Sequence, residues 1–146
     1  MSRLPHTTFS HIGICVSDLQ RSTRFYTEAF GFVVSHSLQA GPPFDVMTEL
    51  SDLEIQATFL KREGVTIELV RYLRPGTRGP AERRPMNQLG LTHLSFTVED
   101  LAAVLDLIGK FGGISHPQTR VKTPAGDLMF CTDPDGTRIE LWQKAG

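Results

Sequence analysis

Cysteine is scarce in this chain, with two residues, Cys15 and Cys131, among 146. They are too few and too far apart for a secreted disulfide framework or a thiolate zinc site, so a reducing compartment is expected. Excess charge is lacking as well. Lys and Arg number 15 against 16 Asp and Glu, for a formal net charge of -1, and a balance this even gives nucleic acid little to hold. No run approaches the roughly 18 apolar residues of a membrane span. The opening MSRLPHTTF has no apolar stretch of signal-peptide length. The expectation is a cytoplasmic protein with neither a membrane nor a nucleic-acid partner. With 40% hydrophobic and 21% charged residues, the chain is not disordered, and its length suffices to bury a core unaided.

What the sequence does have is an internal repeat. HIGICVSDL at 11–19 is echoed by HLSFTVEDL at 93–101, so that His11, Asp18 and Leu19 recur 82 positions later as His93, Asp100 and Leu101. Both stretches alternate as a half-buried strand does and then change to helical spacing. In the first, Ser17 and Gln20 form a capping box, and Leu19, Ser22, Tyr26, Ala29 and Phe30 share a helix face that ends at Gly31. In the second, Leu101, Val104, Leu105, Ile108 and Phe111 make an apolar stripe closed by Gly112 and Gly113. A second echo follows each helix, VTIELV at 65–70 and TRIELW at 137–142, which pairs Glu68 with Glu140. DPDG at 133–136 and KREG at 61–64 supply tight connections ahead of these strands. Each half therefore reads as strand, helix and three strands, with weak patterning at 40–53 and 114–125. Residues 73–90, rich in Pro, Gly and Arg, link modules at about 9–72 and 91–143 of a single domain spanning 1–146.

Strand alternation sorts the unusual residues. Ile12, Ile14 and Val16 share one face and His11, Gly13 and Cys15 the other; Leu94, Phe96 and Val98 oppose His93, Ser95 and Thr97. Glu68 lies opposite Ile67 and Leu69, and Glu140 opposite Ile139 and Leu141. With helices covering the apolar side, the other side of a curved sheet becomes a cup carrying His11, Glu68, His93 and Glu140. Two imidazoles and two carboxylates suit one divalent transition ion, Co, Ni, Zn, Mn or Fe, with positions left for water or substrate.

The chain resembles the vicinal oxygen chelate superfamily, which includes glyoxalase I, methylmalonyl-CoA epimerase, extradiol dioxygenases and the fosfomycin and bleomycin resistance proteins. HIGICVSDLQRSTRFYTEAFGF, HLSFTVEDL and DPDGTRIELW carry the resemblance. It implies an α+β fold of paired βαβββ modules forming an open barrel-like cup, a homodimer, and His11, Glu68, His93 and Glu140 as metal ligands. The His, Glu, His, Glu order is similar to bacterial glyoxalase I, whereas the long connection from Glu68 to His93 is more like the epimerase. The implied chemistry is that of a metal-dependent isomerase, epimerase or lyase that stabilises an enolate or enediolate, with Glu140 or Glu68 moving the proton. The expected substrate is a small molecule such as a thioester or hemithioacetal. Glu49, Glu54 and Gln56 are candidates for an opposing acid. The alternatives are a non-haem iron ring-cleaving dioxygenase and an antibiotic-binding resistance protein. Arg71, Arg74, Arg78, Arg83 and Arg84 read most simply as a solvated linker, with an anion-binding role as the competitor.

Overall fold

The computed structural model describes residues 3–146, so Met1 and Ser2 of the expected domain lie outside it. The first module runs β1 (Ile12–Cys15), α1 (Leu19–Phe30), β2 (Val33–Ala40), α2 (Phe44–Thr48), β3 (Glu54–Arg62) and β4 (Val65–Arg74). The second runs β5 (Leu94–Thr97), α3 (Leu101–Lys110), β6 (Ile114–Ser115), a 3-10 turn (Pro117–Thr119), β7 (Val121–Thr123), β8 (Gly126–Thr132) and β9 (Arg138–Lys144). The sheet orders are β1-β4-β3-β2 and β5-β9-β8-β6, with β7 also on β8. Neither sheet closes on itself. In each, the strand before the helix lies parallel to the last strand of its module, which sets the His strand directly beside the Glu strand.

Local chemistry accounts for the elements. Helices α1 and α3 are capped by the repeated aspartate, so that α1 does not use a capping box at Ser17. Asp18 accepts from Arg21 N and Asp100 from Ala103 N, each at 3.0 Å, satisfying a donor that the first turn leaves free. Ser17 instead reaches the other module, where its amide donates to Asp135 Oδ2 at 3.0 Å. Gly31 ends α1 at φ 68°, a left-handed conformation that costs glycine little. The stripe foreseen for α1 omits Phe25, which is wholly buried. The weakly patterned segments hold the short α2 and the strand broken at Pro117, where proline removes a ladder donor.

The two modules share one core. Phe25, Tyr26 and Phe30 of α1, Ile67 and Leu69 of β4, Leu101 and Ile108 of α3, and Ile139 and Leu141 of β9 form a single buried cluster. Phe30 stacks on Phe96 with ring centroids 4.2 Å apart. At the junction the buried Tyr26 hydroxyl donates to Asp133 Oδ2 at 2.8 Å, and Asp133 Oδ1 accepts from the amides of Asp135 and Thr137. The segment between β4 and β5 is strapped to the second module and is no free linker. Arg138 Nε donates to Arg84 O at 2.7 Å, and Arg83 Nη1 lies 2.7 Å from His116 Nδ1. Gly136 is required there, because a Cβ would sit 2.5 Å from the Glu82 backbone.

Candidate metal centre

Register fixes which expected ligands meet. In the first sheet Glu68 of β4 lies beside Gly13 of β1 and opposite Phe59 of β3. In the second, Glu140 of β9 lies beside Ser95 of β5 and opposite Phe130 of β8. Since their neighbours Ile67, Leu69, Ile139 and Leu141 enter the core, both glutamates sit on sheet faces turned away from it.

Each glutamate meets the histidine that precedes its partner strand. His11 Nε2 is 3.0 Å from Glu68 Oε2, and His93 Nε2 is 3.9 Å from Glu140 Oε2. The surroundings repeat too. Ser10 Oγ lies 2.7 Å from His11 Nδ1, and Thr92 Oγ1 lies 2.8 Å from His93 Nδ1. Phe59 meets the His11 ring edge-on at 5.2 Å, and Phe130 meets His93 edge-on at 5.5 Å. Each imidazole is thus oriented through Nδ1 and presents Nε2 beside a carboxylate. That is the arrangement by which outer hydrogen bonds fix a metal-binding histidine. All four side chains are partly exposed, between 19% and 34%, so each pair is open to a ligand.

The donor chemistry fits a divalent transition ion, two donors at a time. Among the described residues no group of three or more His, Cys, Asp or Glu lies close enough to hold an ion. One chain therefore brings His11 to Glu68 and His93 to Glu140, and does not bring the pairs together.

The other candidates are placed as follows. Gln56 lines a groove with Asp18, Gln20 and Thr27 on the α1 side, on the opposite face from Glu68. Glu54 pairs with Arg74 at 2.5 Å, and Glu49 ends α2. No opposing acid comes from Gln56. His36, which sequence reasoning passed over, stacks flat on Phe59 at 4.4 Å and so shares the face of the first pair. Ser10 and Thr92 were also missed, although their spacing of 82 continues the repeat upstream of the histidines. A cavity of about 550 Å³ beneath the strap is lined by Cys15, Arg78, Arg84, His93 and Arg138. Burial, reinforced by the Asp135 carboxylate, pushes the Cys15 thiol up from its ordinary range.

The model of the Glyoxalase/Bleomycin resistance protein/Dioxygenase superfamily matches residues 8–141. The chain belongs to that superfamily. Among curated relatives it is 29% identical over 141 residues to a 2-epi-5-epi-valiolone epimerase of an Actinomyces species, covering 90% of this chain and 76% of the relative. It is 29% identical over 138 residues to a probable lactoylglutathione lyase of Vibrio cholerae, covering 91% and 88%. Among solved structures, a glyoxalase family protein of Bacillus cereus aligns with a TM-score of 0.85 at 21% identity, over 100% of this chain and 99% of that one. The fosfomycin resistance protein FosX of Listeria monocytogenes aligns at 0.64 and 18% identity, over 97% and 96%. At these identities the solved structures speak to the superfamily's fold alone, which is the α+β architecture of open paired modules expected from the sequence. No helix among the described residues is long and apolar enough to cross a membrane.

Proposed function

We propose that this superfamily member is a divalent-metal-dependent isomerase, epimerase or lyase that moves a proton at a carbon next to a carbonyl, and that it works in the cytoplasm as a homodimer. The observation that carries the reading is the twofold recurrence of a histidine held through Nδ1 by a hydroxyl, with Nε2 beside a glutamate. Since neither pair gains a third His, Cys, Asp or Glu among the described residues, each centre in this reading takes His11 and Glu68 from one protomer and His93 and Glu140 from a second copy. When bound there, a divalent ion, Co, Ni, Zn, Mn or Fe, supplies positive charge where substrate oxygen gains negative charge. Glu68 or Glu140 takes the proton from carbon and returns it, while the histidines stay fixed by Ser10 and Thr92. Phe59 and Phe130 wall the two pairs and lower the local polarity, which strengthens both effects. The relatives named as an epimerase and as a lactoylglutathione lyase support a small substrate with such a carbon, for which a hemithioacetal or thioester is the first choice.

The sharing of ligands has a test that needs no substrate. His11→Ala and His93→Ala chains are unfolded together, refolded as a mixture and titrated with Co²⁺. Shared centres leave each mixed dimer one intact set, so the equal mixture takes up about a quarter of an ion per chain, whereas either variant alone takes up almost none. A mixture no better than its parents overturns the shared arrangement. Wild-type protein that binds no ion after Co²⁺, Ni²⁺, Zn²⁺, Mn²⁺ or Fe²⁺ reconstitution overturns the metal-dependent function itself. Activity is then sought as deuterium exchange from solvent into the methylglyoxal–glutathione hemithioacetal, followed by NMR.

A further inference from the structure

We infer that His36 selects the substrate by its far end, donating from Nε2 to an oxygen carried on the chain beyond the reacting carbon. The inference rests on the metal-centre reading above and deepens it, since it says what the substrate carries besides a carbonyl beside a C–H bond.

A backbone irregularity puts the residue there. Along β2, Val34 pairs with Leu60 of β3 but His36 pairs with Phe59, so Ser35 is an extra residue in the ladder. In an unbroken ladder Ser35 would stand opposite Phe59, and His36 would fall on the other face of the sheet with Thr58. The bulge turns His36 onto the face of Phe59 and Glu68, which are themselves partners. Re-aiming a side chain beside a site is a common use of a bulge. His36, Phe59 and Glu68 thus form one row across β2, β3 and β4.

The imidazole is then held much as those of His11 and His93 are. Ser35 Oγ lies 3.2 Å from His36 Nδ1, as Ser10 and Thr92 lie beside the Nδ1 atoms of His11 and His93. The ring stacks on Phe59 with 9° between the planes. Its Nε2 has no hydrogen-bond partner among the described residues, and His36 is exposed on the edge strand of its sheet. With the Ser35 hydroxyl donating to Nδ1, the proton of the neutral ring sits on Nε2; in the charged ring both nitrogens carry one. Either form offers a donor to an oxygen. The second half differs. There the histidine beside Phe130, His116, is 7% exposed, with Arg83 at its Nδ1 and Thr132 at its Nε2.

His36 does not join His11 and Glu68 on an ion, because no group of three such residues lies close enough among the described residues. Two strand spacings, about 10 Å, separate it from Glu68. A metal–oxygen bond takes up about 2 Å of that span and a hydrogen bond about 3 Å, which leaves about 5 Å for the substrate. Three or four linked carbons cover that length. The substrate class is therefore a carbonyl compound with a second acceptor, a carboxylate or a hydroxyl, three or four carbons from the oxygen on the ion.

The test titrates Zn²⁺-loaded full-length protein by calorimetry with three acids whose 2-hydroxy-carboxylate end chelates the ion. They are 2-hydroxyglutarate, 2,5-dihydroxypentanoate and 2-hydroxypentanoate, the last being the same chain ending in a methyl group. A hydrogen bond to the far oxygen should make one of the first two bind about tenfold or more tighter than the third. Which of them does so tells a carboxylate from a hydroxyl. His36→Phe, which keeps an aromatic ring against Phe59, should bind all three alike. In ¹H–¹⁵N spectra of the wild type, the His36 Nε2 signal should move with the favoured acid and not with 2-hydroxypentanoate. Equal affinities in the wild type, a preference that survives in His36→Phe, an unmoved Nε2 signal, or loaded protein that binds none of the acids overturns this role for His36 and leaves the metal centre standing. Wild-type protein that takes up no ion overturns both.

Discussion

Replacing Tyr26 by Phe removes one hydroxyl from the junction of the two modules and is expected to cost far more than an oxygen at a surface. The hydroxyl donates to Asp133 Oδ2 at 2.8 Å, and both residues are at most 1% exposed. No water can take the place of the lost donor, so one carboxylate oxygen stays buried and unpaired. Hydrogen bonds to charged groups contribute about 1.5 to 3 kcal/mol net, and the variant should lose about 2 to 3 kcal/mol. For a chain of this size that corresponds to a fall in Tm of about 5 to 10 °C. Acid should shrink the deficit. Burial raises the Asp133 carboxyl above its ordinary range, while the Thr137 amide, the Tyr26 hydroxyl and the Asp135 amide pull it back down. Deleting the hydroxyl lets it climb further. A carboxyl whose native pKa exceeds its unfolded value binds a proton first in the native state, so acidification toward that native value restores stability to the variant relative to wild type. Urea unfolding at pH 7.5 and pH 5, at one fixed protein concentration, measures both effects. A loss under about 0.5 kcal/mol, or a deficit identical at the two pH values, would refute the reasoning.

Three other residues carry expectations of their own. Gly113→Ala would place a Cβ 2.6 Å from Phe25 Cε2 and 2.7 Å from the Thr132 carbonyl oxygen, and overpacking of this kind should cost about 1 to 3 kcal/mol in a urea titration. His116 is held neutral, because a guanidinium offers only donors to its Nδ1. Burial, then Arg83 and Arg138, depress its pKa from the usual 6.5. The unfolded chain therefore binds the proton first, and stability should fall as pH drops below about 6.5. His116→Gln should flatten that dependence; an unchanged slope would dismiss His116 as its source. Burial pushes the Cys131 thiol up to about 12, and it is wholly buried while Cys15 is exposed. A chromogenic disulfide at pH 8 should titrate one thiol per folded chain and two after denaturation.

The repeat was legible because strands and helices write their burial into the sequence as periods of two and of about three and a half. The placing of His11, Glu68, His93 and Glu140 on polar strand faces was legible by the same alternation, but that each histidine meets the glutamate of its own half was not, since the register of the parallel strands decides it. Legibility also failed where local signals were brief or broken. The five-residue α2 carries too little periodicity to read, and Pro117 splits a strand into the fragments β6 and β7. The helix caps were misread at Ser17 although Asp18 and Asp100 repeat as faithfully as the histidines. Ser17 was free to bind the other module because Asp18 had taken the cap. The strap was least legible of all. Its Pro, Gly and Arg content is that of a solvated linker, and only tertiary contacts such as Arg83 with His116 pin it down.

A repeat describes each half but not how the halves meet, and here the meeting is rigid. Tyr26 lies on α1, the helix that follows the His11 strand, and Asp133 opens the turn leading into the Glu140 strand. Their buried bond, the Ser17 contact to Asp135 and the Phe30 stack on Phe96 tie the two pairs of one chain at a fixed separation. In the dimer proposed above, that separation becomes the spacing between two centres, and the geometry within each centre depends on contacts between chains. Loosening the junction with Tyr26→Phe should then alter stability while leaving ion affinity per intact dimer nearly unchanged. Were the four ligands instead to close around an ion inside a single chain, the pairs would have to shift relative to each other across this same junction, and the variant's Co²⁺ affinity would change with its stability.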